Sequence, residues 1–141
     1  MAANAMPPRL PAGILPSTLD WAAVETLSRR YALGAPEIDQ QHRMLFAWYV
    51  ALRAAPDVQH VAEGLAVYAA FHFASEEAWA ADRGVDIAVH HDQHNELLAR
   101  LDLILGRADR MHAIALIQDW LVTHIDVEDR ALVANTEHVC G

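Results

Sequence analysis

Cysteine occurs once, at Cys140. A lone thiol excludes an internal disulfide and any zinc or iron–sulfur site built on cysteine, and this one is expected to be exposed. No apolar run approaches the roughly 20 residues that a membrane helix needs. Basic residues are few, ten against nineteen acidic ones, and the resulting charge of −9 argues against nucleic acid or an anionic membrane as partner. Proline is confined to the start apart from Pro36 and Pro56. The first twenty residues are interrupted by Pro7, Pro8, Pro11 and Pro16 and lack a continuous apolar core, so they do not read as a secretory leader. A cytoplasmic location is the expectation. Against these shortages stand abundant alanine and leucine, which favour helices, and nine histidines in 141 residues.

That length suits a single domain. The proline-rich start is expected to be an extended arm, giving a division into residues 1–34 and a helical domain over residues 35–137. Trp21 to Tyr31 fits either a short helix or an irregular packed segment. After Gly34 the punctuation becomes regular. Pro36 suits a first helical turn, and Ile38, His42, Leu45, Phe46, Tyr49 and Leu52 then recur at helical spacing. Pro56 closes that helix and Asp57 caps the next, whose stripe is Val61, Leu65, Tyr68, His72, Glu76 and Trp79 up to Gly84. Asp86 caps a third helix carrying Ile87, His90, His94, Leu97 or Leu98, Leu101 and Ile104. Gly106 and Asp109 separate it from a fourth, with Ile114, Ile117, Leu121, His124, Ile125 and Leu132. Short connections make an all-α, up-down-up-down four-helix bundle the simplest architecture.

The inner stripes are not purely apolar. Burying an unpaired carboxylate or imidazole costs several kcal/mol, so such groups sit beside partners or a metal. His72 and Glu76 are four apart, as are His90 and His94. At ~100° per residue each pair projects from one helix face. The levels agree as well. His42, His72 and Glu76 lie 14, 16 and 20 residues from the turn at Pro56. His94, His90, His124 and Asp129 lie 13, 17, 17 and 22 from the turn near Arg107. At a rise of ~1.5 Å per residue, antiparallel helices bring all seven into one layer. His124 and Asp129 are five apart, about 140° around an ideal α-helix, so the spacing predicts a π-type or distorted turn between them.

These residues resemble the hemerythrin family, especially its single-domain bacterial members. The likeness spans Gly34 to Asp129. It comprises Pro36-Glu37-Ile38-Asp39-Gln40-Gln41-His42, His72-Phe73-Ala74-Ser75-Glu76-Glu77, His90-x-x-x-His94 and Trp120-Leu121-Val122-Thr123-His124, ending at Asp129. Trp21 is similar to a tryptophan in that family's N-terminal loop. The resemblance implies a non-haem centre of two iron ions with an oxo or hydroxo bridge. His90, His94 and His124 would ligate one iron, His42 and His72 the other, and Glu76 and Asp129 would bridge them. The second iron would keep an open position for dioxygen, and imidazole and carboxylate are ligands that suit iron. Phe73, Trp120, Leu121 and Ile125 would form an apolar wall around the dioxygen pocket. The stretch between Gly84 and the first histidine of the third helix is one residue shorter than the family pattern, which makes His91 an alternative to His90. The pairing of His90 with His94 at four residues, and the stripe around it, favour His90.

His60, His112 and His138 are expected to be solvated, and Asp39, Glu77, Asp126 and Glu128 to be surface charges, with Asp39 a support for the first turn near His42. Phe73, Trp79 and Trp120 are core positions in any bundle. Three functional classes fit the seven donors: reversible dioxygen binding for storage, delivery or sensing; a di-iron enzyme reducing peroxide or nitric oxide, or oxidising a substrate; and a metal-stabilised interaction module. Ferritin-like oxidases use more carboxylates, on Glu-x-x-His pairs. A histidine-rich set with no further acid, base or substrate loop favours dioxygen binding over an enzyme. Delivery or sensing would involve a separate protein partner.

Overall fold

A computed structural model describes residues 19–54, 58–107 and 110–140, and every regular element among them is helical. The proline-rich start and the expected caps at Asp57 and Asp109 lie outside the described residues. Trp21 to Arg30 forms a helix, α1, with the Asp20 carboxylate accepting from the Ala23 N–H at 3.1 Å. Gly34 then takes a positive φ of 82°, a turn that a side chain would strain. Asp39 clasps this turn, accepting from the N–H groups of Leu33 and Gly34 at 2.8 and 3.0 Å.

Pro36 opens α2 (Pro36–Ala54), followed by α3 (Val58–Asp82), α4 (Ala88–Arg107) and α5 (Arg110–Thr123). A π-helical segment (His124–Asp129) continues α5 directly into α6 (Arg130–Cys140). Gly84, with φ 81°, ends the run after α3, and the Asp86 carboxylate accepts from the Ala88 N–H at the start of α4. No described helix is long and apolar enough to cross a membrane.

The core is more enclosed at α2 than one apolar stripe requires. Every residue from Leu45 to Leu52 is buried. α1 explains this, because it packs on α2 through Val24, Leu27 and Trp21 and covers a face that would otherwise meet water. Arg43 ties the two helices at their edge, over the Trp21 ring and against Glu25. α3 also packs on α2, with a tight contact at Gly64, where a Cβ would come within 2.4 Å of the Trp48 indole. α4 packs on α3, and α5 packs on both α2 and α4. Trp79 departs from expectation. It is only partly buried, in a small satellite cluster with Ala35, Ile38 and Val133.

Candidate metal centre

Each of the central helices contributes polar donors to one buried layer. α2 supplies His42, α3 supplies His72 and Glu76, and α4 supplies His90 and His94. The π segment supplies His124 and Asp129. Here the Arg130 N–H reaches back five residues to the Ile125 carbonyl, which adds a residue to the turn and swings Asp129 onto the face of His124. This is the turn predicted from the five-residue spacing. All seven side chains are buried.

Their arrangement is ordered around the two carboxylates. Glu76 Oε1 lies 2.7 Å from His90 Nε2 and 3.3 Å from His94 Nε2. Asp129 Oδ1 lies 3.1 Å from His90 Nε2 and 3.0 Å from His124 Nε2. The other oxygens face the opposite way. Glu76 Oε2 is 3.3 Å from His72 Nε2 and 3.6 Å from His42 Nε2, and Asp129 Oδ2 is 2.9 Å from His42 Nε2. Each carboxylate therefore turns one oxygen toward a trio of imidazoles and one toward a pair. Donor atoms of Glu76, His90, His94, His124 and Asp129 fall within 4.8 Å of one another, and so do those of His42, His72, Glu76 and Asp129.

His90 Nε2 hydrogen-bonds with Glu76 Oε1 and Asp129 Oδ1, but most of the cluster is not paired in this way. Nε2 of His42, His72, His94 and His124, with Glu76 Oε2 and Asp129 Oδ2, are buried without a hydrogen-bond partner. Orphaned polar atoms in such number would be costly in a dry core, and they are nitrogen and oxygen lone-pair donors of the kinds that bind divalent transition metals. The donor set fits metal ions. Electrostatics agree. Burial opposes a charged His42, but Asp129 and Glu76 raise it to about 9. Burial likewise opposes His90, which the same carboxylates raise to about 9, and His124, which Asp129 raises to about 10. Burial and Asp129 push Glu76 up, yet the imidazoles of His72 and His42 win and hold it well below the usual carboxylate range.

The outer faces of the imidazoles are braced unequally. His72 Nδ1–H donates to Gln41 Oε1 at 2.7 Å, and Gln41 Nε2 in turn donates to Ser75 Oγ at 2.8 Å. His94 Nδ1–H donates to Glu77 Oε2 at 3.0 Å. Such bonds leave the Nε2 lone pair facing inward. Glu128 Oε1 is 3.7 Å from His124 Nδ1, and that imidazole lowers the Glu128 pKa. Glu77 and Glu128 are thus not the plain surface charges expected of them, whereas Asp126 is an exposed charge, paired with Arg130. Gln41, Ser75 and Glu77 fall within the family motifs, but helical periodicity assigns them no such role, because their partners lie 31, 34 and 17 residues away. His91 stays outside the cluster, half exposed, with its Nδ1 on the second oxygen of Glu77. The side chains of His60, His112 and His138 are outside the described residues.

Phe73, Trp120, Leu121 and Ile125 are all buried. The Phe73 ring stacks on His94 at 4.1 Å and meets His124 edge-on at 5.1 Å, with Trp120 at 6.0 Å. The Trp120 indole N–H donates to the Leu97 carbonyl, so its one polar atom is satisfied away from the imidazoles.

A helical protein with this buried layer belongs to the class of cation-binding proteins that hold metal on histidine and carboxylate. Residues 33–135 match the family model described as the hemerythrin HHE cation-binding domain, and the chain belongs to that family. No curated protein and no solved structure matches the chain.

Proposed function

We propose that the protein binds dioxygen reversibly at a non-haem di-iron centre, for storage, delivery or sensing. The observation that carries this reading is the opposed orientation of the two carboxylates, one oxygen of each toward three imidazoles and the other toward two. If shared by two metals, these carboxylates would leave three private imidazoles to one and two to the other, and the poorer position would accept a further ligand. His90, His94 and His124 would hold one iron, His42 and His72 the other, with Glu76 and Asp129 common to both. Iron supplies the electrons that dioxygen binding requires.

The remaining work falls to the chain itself. Phe73, Trp120, Leu121 and Ile125 keep water from the site, since their packed rings and methyl groups offer no hydrogen bond. Gln41 and Glu77 hold His72 and His94 in the tautomer that turns Nε2 inward. The surrounding architecture is read as four rods in up-down-up-down order: α2, α3, α4 and the continuous α5–π–α6 helix, with residues 1–34 added at the N-terminus.

The test is the visible spectrum of anaerobically reduced, iron-loaded protein before and after air. A charge-transfer band that appears with air and disappears under vacuum supports reversible binding. Immediate conversion to the oxidised form without that band would sink it and favour a di-iron enzyme acting on peroxide or nitric oxide.

A further inference from the structure

Six of the seven clustered side chains are sealed at 2% exposure or less, whereas His90 keeps 7%. That residual surface opens into a cavity of about 290 Å³ between the start of α4 and the wall made by the π segment and α6. We propose that this groove is the route by which metal ions enter and leave the centre, with His90 the donor that meets them first. The inference rests on the metal-binding reading of the cluster.

Size and chemistry both favour a hydrated cation. A six-coordinate aqua ion needs space for six waters of about 30 Å³ each, roughly 180 Å³, which the groove can hold. Half of its lining is aliphatic, but Asp86 and Glu128 also line it and draw a cation in, while Gln93 and Asn135 offer neutral groups that can replace leaving waters. Glu128 also stands 3.7 Å from His124 Nδ1, so the groove's acidic wall continues to the cluster itself. A second cavity, lined by Gln93, Glu96, Leu97, Arg100 and Glu128, touches none of the seven donors. Where the cluster meets the Phe73 ring, backed by Trp120, the surroundings are apolar and give a stripped ion nothing to bind.

Ala131 lines the groove from α6, is exposed and is helical, so a large side chain there fills the space without entering the core. The test uses the full chain, ferrous ion alone under anaerobic conditions, and a coloured ferrous chelator. Ala131→Trp should slow both loading and chelator-driven stripping by roughly tenfold or more while the final iron content stays that of the parent. Asn135→Phe, from the next turn of the same wall, is the second variant should Ala131→Trp lose helicity. Val67→Trp, an exposed site on α3 outside the groove, should leave both rates unchanged. Parental rates in both groove variants, or equal slowing in Val67→Trp, overturn the route alone. A parent chain that takes up no iron overturns the metal-binding reading as well.

Discussion

His124 Nε2 and Asp129 Oδ1 lie 3.0 Å apart, although five residues separate them on a continuous helix. Only the π turn between them allows this, and it gives Asp129 its place between both groups of imidazoles. Asp129→Asn keeps the volume but removes the charge and one acceptor oxygen. It should lower metal affinity by more than the roughly 10–100-fold typical of losing an outer partner. Metal content after dialysis should fall below that of the parent at unchanged helical circular dichroism. Parental content would contradict the bridging role.

Glu77 separates bracing from charge. Glu77→Ala removes the acceptor of His94 Nδ1–H and should weaken metal binding by about 10–100-fold. Glu77→Gln keeps an acceptor and should recover most of that loss. Competitive chelator titration distinguishes the two, and equal losses in both would point to charge alone.

Protons and metal compete for the same nitrogens. With His42 and His90 raised to about 9 and His124 to about 10, these imidazoles are protonated at neutral pH when metal is absent. Metal binding must therefore release protons, and affinity should rise with pH up to that range. The metal-free fold behaves oppositely. The raised imidazoles stabilise it fully below their ordinary 6.5 and lose that contribution as pH climbs through 9 to 10. Glu76 and Asp129, held low, stabilise it above their ordinary 4.5 and 3.8 and lose that contribution as pH falls. Thermal melts with and without chelator should show a larger metal-dependent gain at about pH 8.5 than at about pH 5.5. An equal gain at both would refute the proton competition.

Gly64 tests the packing that carries the site. Its Cβ would meet two Trp48 ring atoms at 2.4 and 2.5 Å, and Trp48 is itself fully buried. Overpacking costs about 1–3 kcal/mol and the helix-propensity gain from alanine returns about 1, so Gly64→Ala should lose on the order of 1 kcal/mol. A denaturant melt of the metal-free protein measures it. A stabilised variant would show that α2 and α3 separate easily.

Much of this was legible along the chain, for identifiable reasons. His72–Glu76 and His90–His94 could be paired because four residues return to the same helix face. The π turn could be anticipated because five residues do not. The short connector before α4 left His90 and His91 in competition. The structure places His90 in the cluster and His91 outside it, on Glu77. What could not be seen were contacts with no periodic signature. α1 buries the outer face of α2, Glu77 and Glu128 turn inward to imidazoles, and Trp79 leaves the main core.

The sequence by itself determined the helices and the inward aim of seven donors, because helical period and turn residues act over neighbouring positions. Tertiary structure alone decided which oxygen of Glu76 and Asp129 faces which imidazoles, which outer groups brace them, and where a groove reaches His90. Those features depend on how separate helices are rotated and spaced against one another, and no local rule of the chain sets that.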